Sequence, residues 1–391
     1  MLNRFHSYIN YSEKLITQFK GDMPFAIYLK SYFKENKKHG SKDRKQIAHL
    51  CYCYFRLGNA FSDLEFVERI KIAIYLCNQN IDGYKILFED EWLNKWNENL
   101  LNRIKFIETK YGTIEQDLFP NTNLIGGISD KINFVYSHLN QPNLYLRVRP
   151  GNEKSVFQKL LDNDVNFNVI KNTCIECANG SKVDEILKIN EEVVIQDYNS
   201  QQISLFFDFV KNSPIHNIKV WDCCAASGGK SILAIDYLNK IKLTVSDSRA
   251  SILHNLKKRF ETAQIKNYTS FVADLAKPIS LQNKFNLIIC DVPCSGSGTW
   301  SRTPEFLKYF KESDLEKFNF LQNNITKNVI EHLDINGYLL YVTCSVFKSE
   351  NEDVVDEIIK NYNLKLIHQQ YLEGFEMKAD TLFAALLQKK Y

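Results

Sequence analysis

The 391-residue chain is poor in the features that announce several large protein classes. No apolar run approaches the roughly 18–20 residues needed to cross a bilayer, and Met1-Leu-Asn-Arg lacks the charged-then-apolar pattern of a signal peptide. Its ten cysteines are too sparse for a disulfide scaffold in a chain of this length. A reducing, cytoplasmic setting with free thiols is therefore expected. The eight histidines form no H-x-x-x-H pattern. Cys174-Ile-Glu-Cys177 lacks the second pair that a structural zinc site needs, and Cys51 and Cys53 do not supply one by spacing. No metal is expected. There is no G-x-G-x-x-G and no complete P-loop, because Gly228-Gly229-Lys230-Ser231 carries only the tail of that pattern. Internal repeats and low-complexity tracts are absent as well.

What is present is an ordinary globular mixture, 45% hydrophobic and 24% charged, long enough for two or three domains. Net charge is only +3, but it is unevenly spread. Residues 1–58 hold eleven Lys/Arg against four acids, a net +7, which leaves the remainder at −4. A basic segment on a near-neutral body fits a polyanion partner, and fits a solvated helix face equally well.

Residues 1–135 show helical spacing, as in Ala48–Leu57, with Gly58 as a stop, and predict an all-helical domain. Residues 142–195 predict a small α+β, RRM-like unit: an alternating strand over Asn143–Arg149, a helix from Lys154 to Leu161, then short β-rich pieces. Arg147 and Arg149 lie two apart and share a strand face. They could present guanidinium groups to phosphate or serve solubility. Residues 196–391 alternate strands and helices. Strands are expected over Ile218–Asp222, Leu243–Ser246, Tyr268–Val272, Phe285–Cys290 and Gly337–Thr343, with helices over Ser251–Phe260 and Glu305–Leu333. Near-continuous apolar runs indicate strands covered on both faces. The fold class is α/β: a Rossmann-like domain with a mostly parallel seven-stranded sheet, preceded by the α+β unit and the helical domain.

In such sheets ligands bind beyond the carboxyl ends of the strands, so residues at strand exits carry the chemistry. Cys224-Ala-Ala-Ser-Gly-Gly-Lys230 follows the first of these strands and opens a helix whose N–H groups are exposed. Asp247, Asp274 and Asp291 end the next three strands. One strand-end Asp is often only a turn former. Three beside a glycine turn favour an adenosine-type ligand. Asp291-Val-Pro-Cys-Ser-Gly-Ser-Gly-Thr299 brings Cys294 to the same rim, and Thr343-Cys344-Ser345 brings Cys344 to the adjacent exit. Cys223 and Cys290 instead fit small buried hydrophobes.

Two cysteines and an aspartate on one crevice suit methylation at carbon 5 of cytosine. That carbon is a poor nucleophile until a thiolate adds to carbon 6 and makes an enamine. An acid at ring N3 would stabilise the developing charge, and a second thiolate would remove the carbon-5 proton.

These motifs resemble the Sun/RsmB family of RNA cytosine-5 methyltransferases, and within it the bacterial rRNA-type members. The family's C-A-A-P-G-G-K stands here as Cys224–Lys230, its D-x-P-C-S-G-x-G-T as Asp291–Thr299, and its T-C-S as Thr343–Ser345. Ile195–Gln201 is similar to the Q-D-x-x-S-Q lead-in, and Ser41–Gln46 with Tyr54–Leu57 is similar to the helical RNA-binding domain of some members. The likeness is strong over 195–391, weaker over 142–195 and general before that. It implies S-adenosylmethionine as cofactor, held by Cys224, Ala225, Ala226, Ser227, Gly228, Gly229, Lys230, Asp247, Asp274 and Asp291. It implies Cys344 as nucleophile, Cys294 as the group that assists release, and Asp291 as the residue that orients the cytosine. DNA cytosine methyltransferases place their nucleophile in the Pro-Cys motif, so the assignment of Cys344 rests on Thr343-Cys344-Ser345. Ribosomal RNA is the implied substrate, with transfer RNA the nearest rival and a non-catalytic RNA-binding assembly factor the third reading. No membrane partner is expected, and a monomer is. Two departures stand out: Ser227 in place of the family's Pro, and Ser301 where a second basic residue often precedes Arg302.

Overall fold

The structure is a computed structural model that describes residues 2–171 and 173–390. The chain forms two compact units: Met1–Asn123 with Ser129–Gln141 and Thr299–Glu312, and Leu124–Ile128 with Pro142–Gly298 and Ser313–Tyr391. Two sequence expectations differ from this division. The α+β segment lies in the same unit as the large sheet. Residues 299–312, which sequence places in the α/β domain, lie in the helical unit.

The helical unit is built on amphipathic helices. Ser41–Arg56 starts with the Asp43 carboxylate accepting from the Gly40 N–H at 3.2 Å, and buries Ile47, Leu50, Cys51 and Phe55 along one face. Lys34, Lys37, Lys38, Lys42 and Lys45 are exposed, as a polyanion-facing surface would need. Arg56 departs from that picture. It is buried, and its guanidinium donates to the carbonyls of His138 and Asn140 at 2.7 Å and of Ser301 at 2.8 Å. Its charge is spent inside the unit rather than on its surface.

The second unit holds two sheets. The smaller is antiparallel, in the order β2-β3-β1-β4, formed by β1 (Leu144–Val148), β2 (Phe167–Lys171), β3 (Cys174–Cys177) and β4 (Val193–Ile195). The helix Glu153–Asp162 covers one face through Val156 and Leu160. Arg147 and Arg149 do share a face, but neither reading made from sequence describes them. Both grip Asp236 on the helix Gly229–Leu238, at 2.6 and 2.8 Å, and all three side chains are largely buried. Arg149 also donates to the carbonyls of Asn190 and Ala263. The pair fastens the small sheet to the large one. Removing the shared carboxylate strands two buried cations, a loss of about 3–5 kcal/mol. Asp236→Ala is therefore expected to lower the urea midpoint of this unit sharply. A shift worth less than about 1 kcal/mol, the median for exposed ion pairs, would refute the fastening role.

The large sheet runs β10-β11-β9-β8-β5-β6-β7. Its strands are β5 (Lys219–Asp222), β6 (Lys242–Asp247), β7 (Tyr268–Val272), β8 (Phe285–Asp291), β9 (Leu333–Thr343), β10 (Leu364–Leu372) and β11 (Leu382–Lys389). Strands β5 to β9 pair in parallel, and β11 runs antiparallel between β9 and β10. Successive residues feed two cores. Val220, Val245, Ile289 and Leu340 pack on one side; Trp221, Ile288, Cys290, Leu339 and Tyr341 pack on the other with Cys223. Cys223 and Cys290 are thus the buried hydrophobes that sequence suggested.

The expected helix over Glu305–Leu333 is broken. Phe306–Tyr309 and Ser313–Ile330 are helical, with Phe310 extended at φ −62° and ψ 139° between them. Leu333 already belongs to β9. The Asn336-Gly337 step, which reads as a strand start, lies inside that longer strand, and the β8–β9 register shifts between Phe285 and Leu287. A Cβ on Gly337 would sit 3.0 Å or less from the carbonyls of Asp334 and Phe285. Strand order reverses at β5, between β8 and β6, which opens a crevice at the carboxyl ends of those strands.

Candidate active site

The crevice begins at the turn after β5. Gly228 is left-handed (φ +81°), and a Cβ there would lie 2.5 Å from the Phe260 ring. Only glycine fits, and the helix Gly229–Leu238 starts directly after it. Asp247, at the end of β6, holds the turn from the side. Its Oδ2 accepts from the Ala226 N–H at 3.2 Å and its Oδ1 from the Arg249 N–H at 2.9 Å. Ser227 is held differently from a proline. Its hydroxyl and carbonyl both accept from Arg259 Nη1, at 2.9 and 3.1 Å. Beneath the turn, Asp222 is buried. Ser231 Oγ donates to its Oδ2 at 2.6 Å, while its Oδ1 has no hydrogen-bond partner. Burial pushes this carboxyl up to about 7.

Strands β8 and β9 are neighbours, with Asp291 paired opposite Val342, so their exits lie side by side. The two loops that follow bring Cys294 Sγ to 3.2 Å from Cys344 Sγ. Both residues are partly exposed. Gly298 locks the loops together: its N–H donates to the Cys344 carbonyl and its carbonyl accepts from the Thr381 N–H, each at 2.9 Å. A Cβ on Gly298 would fall 1.9 Å from the Thr381 carbonyl. Asp291 accepts from Lys230 Nζ at 2.6 Å. Burial opposes the Lys230 charge, but the Asp291 carboxylate more than offsets it and its pKa is raised. The hydrogen bond to Cys344 and burial together push the Cys294 thiol well up. At rest Cys294 therefore keeps its proton.

These residues border a cavity of about 450 Å³. Of the residues expected from sequence, Cys224, Ala226, Asp247, Asp274, Asp291, Cys294 and Cys344 line it. Ala225, Ser227, Gly228, Gly229 and Lys230 do not; they shape the turn or, for Lys230, hold Asp291. Asp274 is exposed, and its ion pair with Lys277 keeps its carboxyl below the usual range. Sequence reasoning missed Arg249, which lines the cavity, and the buried Asp222, although Asp222 ends β5 immediately before the glycine turn. It also missed Glu350 and Gln322, which bear on the cysteine loops. Three carboxylates lie in the lining and each is paired with a cation, Asp247 with Arg249, Asp274 with Lys277 and Asp291 with Lys230. Among the described residues no group of three His, Cys, Asp or Glu could hold a metal ion, and no helix is long and apolar enough to cross a membrane.

Residues 210–386 match the family model for 16S rRNA methyltransferase RsmB/F. They span β5 through most of β11 and include both cysteine loops. The match covers less than half of the chain, and over it the chain is similar to the RsmB/F family. Similar curated proteins include ribosomal RNA small subunit methyltransferase B of Xanthomonas campestris, 28% identical over 43% of the chain and 38% of the relative. A second is the 26S rRNA (cytosine-C(5))-methyltransferase nsun-5 of Caenorhabditis elegans, 29% identical over 56% of the chain and 51% of the relative. The chain thus spans about half or less of the length of these curated relatives. Among solved structures, PH0851 covers 98% of both chains with a TM-score of 0.71 at 18% identity. NSun6 from Pyrococcus horikoshii covers 69% of this chain and 96% of its own with a TM-score of 0.58 at 15% identity. At that identity they establish a shared fold, the Rossmann-like sheet included.

Proposed function

We propose that the protein transfers a methyl group from S-adenosylmethionine to carbon 5 of a cytosine in RNA, most directly ribosomal RNA. The observation that carries this reading is the 3.2 Å approach of Cys294 and Cys344 at the rim of a carboxylate-lined cavity. The relatives' names supply the substrate class, rRNA cytosine. The residues fit the cofactor. Asp247, once Arg249 yields part of its hold, can accept from the ribose hydroxyls, and Asp274 borders the adenine end. Carboxylate oxygens of the lining can face a sulfonium. When bound there, the cofactor supplies an electrophilic methyl.

The chain's own groups do the rest. Cys344 adds as the thiolate to carbon 6 of the ring, and the negative charge that develops at N3 is met by a proton from the Lys230–Asp291 pair, with Lys230 as the donor and Asp291 orienting it. Two thiols 3.2 Å apart resist ionising together. Once the sulfur of Cys344 is bonded to carbon 6 its charge is gone, and Cys294 can ionise and act as base toward the carbon-5 proton. The target base must be unstacked to reach this rim, so a loop or flipped-out cytosine is expected. The exposed lysines of the helical unit would meet the RNA backbone.

The test is direct. The purified protein is incubated with labelled S-adenosylmethionine and separate rRNA and tRNA fractions from a strain lacking its gene, and 5-methylcytosine is mapped. Label at carbon 5 of one rRNA cytosine is expected. Label in tRNA alone replaces the substrate, and no transfer to any RNA overturns the enzyme reading.

A further inference from the structure

Glu350 lies six residues beyond Cys344 and is completely buried, and it does not line the cavity. Its carboxylate is saturated by donors from three segments. Oε1 accepts from the Ser295 N–H at 2.8 Å and from Gln322 Nε2 at 3.0 Å. Oε2 accepts from Ser295 Oγ at 2.5 Å and from Ser345 Oγ. Ser295 and Ser345 are the residues that directly follow the two cysteines. Gln322 also donates to the Pro293 carbonyl, one residue before Cys294, at 3.0 Å. The Glu350 carbonyl in turn accepts from Tyr341 Oη at 2.6 Å, which anchors the residue to β9.

We propose that Glu350 is a positioning residue for the reaction: a single buried carboxylate that clamps the Pro-Cys and Thr-Cys-Ser loops together and keeps a fixed negative charge behind Cys294. This rests on the reading of Cys294 as the base that ends the cycle. The charged and titratable groups around Cys294 are the Cys344 thiol at the adjacent exit, the Glu350 carboxylate, the Tyr341 phenol from β9, and the Lys230–Asp291 pair at the rim. The Glu350 charge adds to the partner sulfur and to burial in holding the Cys294 proton. Its role is therefore to make Cys294 a stronger base once Cys344 is bonded to the ring. In that step the Cys294 thiolate takes the carbon-5 proton. The electron pair of the C–H bond forms the C5–C6 double bond, and the pair of the C6–S bond returns to Cys344. A clamp that neither touches substrate nor lines the cavity can thus govern release without affecting cofactor capture.

The test reads the thiol directly, in the full chain and without RNA. In a Cys344→Ala background, the pH midpoint for alkylation of Cys294 by iodoacetamide is measured with and without Glu350→Gln. The midpoint is expected to fall by about one pH unit or more when the charge is removed. Ser295→Ala keeps the charge and deletes one of its donors, so the same midpoint should rise or stay. Simple loosening of the loops would move both variants in the same direction, and that result, or no shift in either, overturns the proposal. Should Glu350→Gln not fold, as judged by its melting curve, the sign of the Ser295→Ala shift decides alone: a fall overturns the charge role. With both cysteines present, Glu350→Gln is expected to slow adduct release about tenfold at unchanged cofactor affinity. If Cys294→Ala alone forms no adduct while the midpoint still falls, the assignment of the base is what fails.

Discussion

Cys344→Ala is expected to reduce methyl transfer to RNA to background, a loss on the order of 10⁴-fold, while leaving the fold and the cofactor site intact. The reasoning is local. Cys344 sits past the end of β9, partly exposed and outside the densest part of either core, so truncation to alanine removes one sulfur and little packing. Its carbonyl, which accepts from Gly298, and the Ser345 contacts to Glu350 do not depend on its side chain. The cavity that would hold the cofactor is lined mainly by other residues. The signature is therefore specific: cofactor affinity within a few-fold of wild type, melting temperature nearly unchanged, and no 5-methylcytosine. A Cys344→Ala protein that still methylates at a tenth of the wild-type rate would show that the nucleophile lies elsewhere.

The second large effect has the opposite appearance. Cys294→Ala should also stop turnover, but by trapping the enzyme on its substrate. Addition of Cys344 and methyl transfer need no base, so both proceed. Removal of the carbon-5 proton does need one, and without it the carbon–sulfur bond persists. A covalent RNA–protein complex is then expected to survive denaturing gel electrophoresis at near one RNA per protein. The wild-type protein should show only a trace. The two thiols are 3.2 Å apart, and the Asp291 carboxylate at the same rim is held by Lys230, so little rescue is anticipated. The double variant Cys294→Ala with Cys344→Ala should form no complex at all. Normal turnover by Cys294→Ala would mean that another group or solvent takes the proton.

The site was legible in sequence where chemistry falls at strand exits. Asp291, Cys294 and Cys344 follow apolar runs that read as buried strands, Asp247 follows the shorter alternating Leu243–Ser246, and a parallel sheet gathers such exits along one edge. The parallel part of the fold followed from the same runs. What escaped were features that depend on partners distant in the chain. Arg147 and Arg149 carry no sign that Asp236, almost ninety residues later, will consume them. Arg56 belongs to a basic segment by composition and to the interior by packing. The break at Phe310 and the early start of β9 at Leu333 lie in a stretch whose helical pattern continues uninterrupted, so periodicity alone could not place them. Glu350 reads as one more acid in Ser349-Glu-Asn-Glu352, yet its four donors come from the two cysteine loops and the helix Ser313–Ile330. The Ser227 departure is legible only as a missing proline. The structure adds that Arg259 holds the turn from below.

The division of labour between the two sulfurs is most directly tested by locating the covalent bond itself. The complex formed by Cys294→Ala with labelled RNA would be digested with nuclease and trypsin, and the nucleotide-bearing peptide sequenced by mass spectrometry. A methylated cytidine attached to Cys344 is the predicted result. A nucleotide on any other residue, or no covalent species under conditions where the wild-type protein turns over, would contradict it.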